Sequence, residues 1–337
     1  MSMTKDELRT WVDEWLVAEA EATRDEAWLS AHLSPAGRTR GGSTEPAEPA
    51  KAATPDPDPA AAAASLMFTY PVVKAGKVAR PNGTEYVCRK IGATRDVDVV
   101  RASREKGYPV LFYGPPGTGK TALVEAAFGT DLVTVLGSED TEVSDFTGAY
   151  TQRPGGTWGW TDGALITAME NGWPLFIDEV GLVSTKVLSI VYSVMDGRNE
   201  ITVTANPERG TVVAKPGFYV IAATNPDAPG VRLSEALLSR FAIHSEVTTD
   251  YALARTLGVE DAMVTAAENL DTRRKSGEVS WSPQLRELLA FRDLTDTFGH
   301  RVSLPNLVSI APAQDRDVVA EVVSRAFGKK ITGLALG

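Results

Sequence analysis

The residues with the clearest chemical potential are Gly114, Pro115, Pro116, Gly117, Thr118, Gly119, Lys120 and Thr121. They fit G-x-x-x-x-G-K-[ST], a phosphate-binding loop. The apolar run Val110, Leu111, Phe112 and Tyr113 leads into it, and a helix-like segment beginning at Ala122 follows. In such a loop the backbone N–H groups point inward as an anion nest, and the new helix adds its positive end. Glycines let backbone approach phosphate closely. Lys120 would reach the β- and γ-phosphates of a nucleoside triphosphate, and the Thr121 hydroxyl would hold Mg²⁺. The plain alternative is a glycine-rich turn between a strand and a helix.

Three further stretches have the right residue types to complete such a site. Leu175, Phe176, Ile177, Asp178 and Glu179 read as an apolar strand ending in two acids. On a strand adjacent to the phosphate loop, Asp178 would orient water around the metal and Glu179 would polarise the attacking water. Residues 218–226 read as another buried strand, ending at Asn225 before Pro226. The Asn225 amide would hold the lytic water or the γ-phosphate, although Asn-Pro also starts turns. Residues 233–241 read as a short helix closing near Arg240. A guanidinium there would reach a neighbouring copy's γ-phosphate. A solvated arginine is equally at home at a helix C-terminus.

Positioning these groups requires a sheet. Apolar runs at 132–136, 175–177 and 219–223 alternate with helical patterns at 164–170 and 184–195. Continuous apolar runs are the mark of buried parallel strands, so the class expected is α/β with helices on both faces. A hairpin is expected over 200–215, with Asn206-Pro207 in its loop. From about Tyr251 the pattern turns helical, with helices expected at 261–269, 283–292 and 315–326. Upstream, 92–107 suits a helix with Val97, Val99 and Val100 inward. Residues 65–91 suit a β-hairpin pairing Phe68-Thr69-Tyr70 with 85–88 around Pro81-Asn82-Gly83.

The ends of the chain differ in character. Leu8, Trp11, Val12, Trp15 and Leu16 form one apolar face of an N-terminal helical segment over 1–34, suited to docking on this chain or on a partner. Residues 35–64 are rich in Pro and Ala and read as a flexible linker. The other expected parts are a nucleotide-binding domain over 92–250, a helical domain over 251–330 and a tail over 331–337. The 337 residues carry a net charge of −10, which argues against nonspecific duplex-DNA binding by the whole chain. Cys88 is the single cysteine, so no disulfide framework forms within one chain. His32, His244 and His300 are scattered and suggest no metal motif. No apolar run reaches membrane-spanning length, and the polar N-terminus is unlike a signal peptide, so a cytoplasmic setting is expected.

Taken in order, GPPGTGKT (114–121), LFIDEV (175–180), VIAATNP (220–226) and LSEALLSRF (233–241) resemble the AAA+ ATPases. The similarity is greatest to the branch that contains MoxR, the gas-vesicle protein GvpN, the Rubisco activase CbbQ and the dynein-related modules. Residues 145–148 with 160–165 resemble that branch's insertion in its second helix, and 200–215 its pre-sensor-1 hairpin. The resemblance implies ATP and Mg²⁺ at subunit interfaces of a homohexameric ring. Lys120, Thr121, Asp178, Glu179 and Asn225 would act in cis, Arg240 in trans, and 251–330 would be the lid. Family members often carry a sensor-2 arginine after a Ser-Pro pair. Here Gln284 takes that place, and Arg286 stands two residues on, about 200° around a helix. Tyr150 and Trp158 edge a glycine-rich insertion and would either grip a polypeptide or pack on their own subunit. Expected partners are a protein client or adaptor, with a von Willebrand A-type domain protein implied by the resemblance. The alternative is a nucleic-acid translocase or helicase loader using the basic residues Lys74, Lys77 and Arg80 or Arg273-Arg274-Lys275.

Overall fold

The computed structural model describes residues 68–335. The expected N-terminal helix and linker, at 1–34 and 35–64, lie outside the described residues. Two units divide the chain, Met1–Thr69 and Tyr70–Gly337, and every element described belongs to the second.

Two small antiparallel hairpins come first: β1 (Lys77–Ala79) with β2 (Glu85–Val87), and β3 (Lys90–Ile91) with β4 (Thr94–Arg95). The turn at 81–83 lies where expected, closed by Arg80 N–H to Thr84 O at 2.8 Å and Gly83 N–H to Arg80 O at 3.0 Å. The first strand does not lie where expected. So short a turn pairs only its flanking residues, so Lys77–Ala79 takes the place expected for 68–70. Tyr70 packs its ring 6.2 Å from that of Phe128. Helix α1 (Asp96–Lys106) then buries Val97, Val100, Arg101 and Arg104, one face of a 3.6-residue period, and leaves Val99 half-buried. Arg104 is satisfied inside the molecule by Gly217 O at 2.9 Å and Gly172 O at 2.8 Å, which ties α1 to the base of the sheet.

The central layer contains β5 (Val110–Tyr113), β6 (Val133–Leu136), β9 (Pro174–Asp178), β12 (Tyr219–Thr224) and β13 (Ile243–Glu246). Between β5 and β6 runs α2 (Lys120–Phe128). Between β6 and β9 come α3 (Val143–Thr147), the antiparallel strands β7 (Gly148–Gln152) and β8 (Trp158–Asp162), and α4 (Ala164–Asn171). Before β12 lie α5 (Thr185–Met195) and the hairpin β10 (Glu200–Thr202) with β11 (Thr211–Val213); α6 (Glu235–Leu238) follows β12. All pairings in the five-stranded sheet are parallel, in the order β13-β5-β12-β9-β6. The protein is thus an α/β parallel-sheet fold flanked by helices.

Two details differ from expectation. The strand of Asp178 is not next to the phosphate-loop strand, because β12 lies between them. The chain leaves β5 for the far edge at β6 and returns through β9 and β12. The run at 132–136 is also not a fully buried strand. As an edge strand β6 buries Val135 and leaves Leu136 72% exposed.

The C-terminal helices are α7 (Tyr251–Thr256), α8 (Asp261–Lys275), α9 (Leu285–Phe298), α10 (His300–Ile310) and α11 (Arg316–Phe327). They share a core that includes Met263, Leu270, Leu288, Phe291, Leu304, Leu307, Val319 and Val323. Helix α10 has Pro305 in its interior, which reads as a helix stop in sequence. The proline removes one backbone bond, and burial of Leu304, Leu307 and Val308 offsets it. No helix among the described residues is long and apolar enough to cross a membrane.

Phe176 of β9 is fully buried beneath the strand that ends in Asp178. Phe176→Ala is expected to lower unfolding free energy by about 3–5 kcal/mol, measured by denaturant titration.

Candidate active site

The phosphate loop is wedged between the end of β13 and the helical domain, and this explains its glycines. Gly114 has φ +139, and a Cβ there would meet Val247 O at 2.5 Å. Gly117 has φ +78, and a Cβ there would meet Arg286 Cβ at 3.1 Å. Neither position accepts a side chain without displacing a neighbour. Thr118 is fully buried and its Oγ1 donates to Pro115 O at 3.0 Å. Lys120 Nζ donates to Gly114 O and Pro115 O, both at 2.8 Å. Burial lowers the Lys120 pKa, the carboxylates of Glu179 and Asp178 oppose that, and Arg286 adds to it.

A cavity of about 420 Å³ opens over this loop. Pro116, Gly117, Thr118, Gly119, Lys120, Thr121 and Ala122 line it, together with Asp178 and Glu179. The helical domain supplies Leu253, Leu257, Leu285, Arg286 and Leu289. The lining therefore combines a phosphate-binding motif and two acids with aliphatic side chains, a mix that suits charged phosphates joined to a flat aromatic base. The volume lies within the range typical of small-molecule sites.

The strand order decides how the acids reach the loop. Thr121, in the first turn of α2, spans the end of β12 and donates its hydroxyl to Asp178 Oδ2 at 2.7 Å. Asp178 Oδ1 accepts the N–H of Glu179 at 3.1 Å. Hydroxyl and carboxylate oxygens are the donors that Mg²⁺ prefers, so the pair fits that ion. Glu179 has φ +53, a left-handed backbone that costs a non-glycine residue energy and is often found at functional sites. It turns the carboxylate toward β12, where Oε2 accepts the Asn225 N–H at 3.2 Å. Asn225 Oδ1 in turn accepts the Asp227 N–H at 3.3 Å. Asn225 thus meets Glu179 through its backbone, while its amide oxygen closes the following turn; it is not among the residues lining the cavity.

Gln284 is the N-cap of α9, with extended φ −94 and ψ −178, and sits outside the helix. Gln284 and Arg286 are therefore not separated by about 200° of helix, contrary to expectation. Gln284 Oε1 accepts from Thr249 Oγ1 at 2.7 Å and Nε2 donates to Ser282 O and Oγ at 3.0 Å, so this side chain is committed to structural contacts. Arg286 lies in the first turn, donates its N–H to Gly117 O at 3.0 Å, and lines the cavity.

Arg240 lies outside the cavity of its own chain. Its guanidinium sits 4.4 Å above the Tyr192 ring and donates to Asp196 Oδ2 at 2.9 Å, both from the C-terminal end of α5. The turn that carries it is braced by His244, whose Nε2 lies 3.1 Å from Leu238 O and 3.0 Å from Phe241 O.

Sequence patterns did not single out two arginines that the structure places prominently. Arg209, in the β10–β11 loop, bridges Asp162 at 3.0 Å and Glu170 at 2.5 Å. It thus joins the two insertions. Arg89 lines the same cavity and donates to Thr118 O at 3.1 Å. Neither has a motif around it, and only the tertiary fold gives them partners.

Burial is the leading cause of a lowered His244 pKa, outweighing the two carbonyl contacts. The unfolded chain then binds the proton more tightly than the folded one, so stability is fully present above about pH 6.5 and falls as pH drops toward the lower folded value. Unfolding free energies measured from pH 7.5 to 5 are expected to decline less steeply for His244→Gln than for the wild type.

Residues 109–241 match the family model for the AAA domain, dynein-related subfamily. An uncharacterized protein of Staphylococcus haemolyticus is 32% identical over 206 residues, covering 56% of this chain and 76% of its own length. Another from Staphylococcus aureus is 31% identical over 205 residues, covering 55% and 77%. Midasin of Dictyostelium discoideum is 37% identical over 142 residues, which are 39% of this chain and only 2% of midasin.

Proposed function

The chain belongs to the dynein-related subfamily of AAA-domain ATP hydrolases, and on that footing we propose that copies of it assemble into a ring, six-membered as in MoxR-like ATPases, that remodels or activates a protein client. The observation that carries this reading is the placement of Arg240. One chain brings Lys120, Thr121, Asp178 and Glu179 to the cavity, while its Arg240 faces elsewhere on α5. A second copy supplying that guanidinium would complete the charge around a splitting triphosphate.

The division of labour follows from the geometry. Lys120 and the loop N–H groups would hold the β- and γ-phosphates. Thr121 and Asp178 would hold Mg²⁺, which when bound neutralises charge on the phosphate oxygens. Glu179 would orient a water and accept its proton as the water oxygen bonds to the γ-phosphorus and the bridging oxygen leaves with ADP. The bond from Asn225 N–H aims the carboxylate for this, and Arg286 would add positive charge from the lid.

Client contact is best served by the β7–β8 hairpin. Trp158 is 68% exposed and Tyr150 50%, whereas Trp160 is half-buried against Tyr150 with ring centroids 5.3 Å apart. Two exposed aromatic rings on one hairpin, Trp158 beside its loop and Tyr150 midway along β7, suit an extended polypeptide. A von Willebrand A-type domain protein remains the client class implied by the resemblance. The basic clusters that would favour nucleic acid are largely neutralised within the chain. Lys77 and Arg80 pair with Glu85 and Glu125, and Arg273, Arg274 and Lys275 pair with Glu278 and Asp271.

Glu179→Gln removes the proton acceptor and keeps the side chain's size. This variant is expected to bind ATP, assemble, and retain its client through affinity capture and washing, with turnover reduced about 10²–10⁴-fold. A variant that assembles with ATP yet captures no protein, or captures nucleic acid instead, would overturn the client reading.

A further inference from the structure

Arg89 precedes the phosphate loop by the β3–β4 hairpin, helix α1 and strand β5, yet its guanidinium reaches the loop. Nη1 donates to Thr118 O at 3.1 Å and to Thr248 O at 3.4 Å. Nη2 would lie 3.6 Å from a Cβ placed on Gly119. The side chain is itself fixed from behind. Nε donates to the Tyr86 hydroxyl at 3.2 Å and lies 3.7 Å from Asp96 Oδ2. That hydroxyl donates to the same Asp96 oxygen, and the Asp96 N–H donates to Arg89 O at 3.0 Å. The Arg89 side chain is only 13% exposed and that of Asp96 only 3%. A buried charge pair this well bonded holds one geometry, because a desolvated charge that lost its partners would be costly.

The consequence lies in the peptide between Thr118 and Gly119. A trans peptide is planar, and its C=O and N–H point in opposite directions. Fixing the Thr118 carbonyl on the guanidinium therefore fixes the direction of the Gly119 N–H. Gly119, at φ +96, has the backbone freedom to swing that group away if nothing holds it. Its N–H is one of the donors of a phosphate nest. Thr248, the other acceptor, lies between β13 and α7, where the chain enters the helical domain.

We infer that Arg89 is a positioning residue for the phosphate loop: braced by Asp96 and Tyr86, it sets the Thr118–Gly119 peptide for β-phosphate binding and ties that peptide to the segment leading into the helical domain. Arg89 acts through the backbone and need not touch nucleotide. The inference depends on nucleotide binding alone and would survive failure of the ring or client proposal.

The test uses the full-length protein and competition of ADP and of AMP against a fluorescent ADP analogue, with thermal melting to show that each variant is folded. Arg89→Gln is expected to weaken ADP about tenfold and to leave AMP, which has no β-phosphate, nearly unchanged. Arg89→Lys keeps the charge, but its single nitrogen cannot hold the two carbonyls as Nη1 does while also holding Tyr86 and Asp96 as Nε does, so it should weaken ADP about threefold. Should Arg89→Gln not fold, Arg89→Lys decides alone. Wild-type ADP affinity in a folded variant, or an equal loss for AMP and ADP, would overturn the assignment.

Discussion

The hydrogen bond from Thr121 to Asp178 spans the end of an intervening strand, and the candidate site depends on that span. Because β12 lies between β5 and β9, the carboxyl ends of three buried strands meet side by side. A crevice at such a reversal of strand order is where open α/β sheets place ligands. β5 delivers the glycine loop, β9 the acid pair, and β12 the backbone amide that receives Glu179. If β9 paired directly with β5, Asn225 would have no place between the loop and the acids. The order of strands, more than any single side chain, is what makes Lys120, Thr121, Asp178, Glu179 and Asn225 one site.

A second constraint acts on the loop itself. Consecutive features of its backbone are held from two sides. The N–H of Arg286, from the helical domain, takes the Gly117 carbonyl, and the guanidinium of Arg89, from the N-terminal hairpin region, takes that of Thr118. The loop is therefore not a free flap closing on phosphate. It is a segment whose shape records the position of the elements on either side. A change in the attitude of the helical domain would be felt at Gly117 directly.

Much of this was legible in the chain. The glycine spacing from Gly114 to Thr121, the acids after an apolar run and the Asn after another are local patterns, because phosphate nests and strand ends are local structures. The α/β class followed from the same apolar runs. What was not legible depends on distant partners. Nothing near Asp178 says that β12 separates its strand from β5. The pairing of Lys77–Ala79 was hidden because aromatic residues at 68–70 are better strand formers than the residues actually paired. Helix α10 was hidden by Pro305, whose lost hydrogen bond is offset only by burial that sequence does not display. Gln284 looked like a displaced functional position and serves instead as a helix cap. Arg89 and Arg209 had no pattern at all, since a lone arginine acquires a role only when folding brings carbonyls or carboxylates to it.

The central claim is that each hydrolytic site is shared between two copies, one giving Glu179 and the other Arg240. The direct measurement is ATP turnover in an equal mixture of two variants that are each inactive alone, Glu179→Gln and Arg240→Ala. Interfaces at which the first variant supplies Arg240 to the second variant's Glu179 are intact, roughly a quarter of all interfaces in a random mixture. The account predicts that mixing restores turnover toward that fraction of the wild-type rate. Turnover that stays at the level of the separate variants, in a mixture shown to co-assemble, would contradict it.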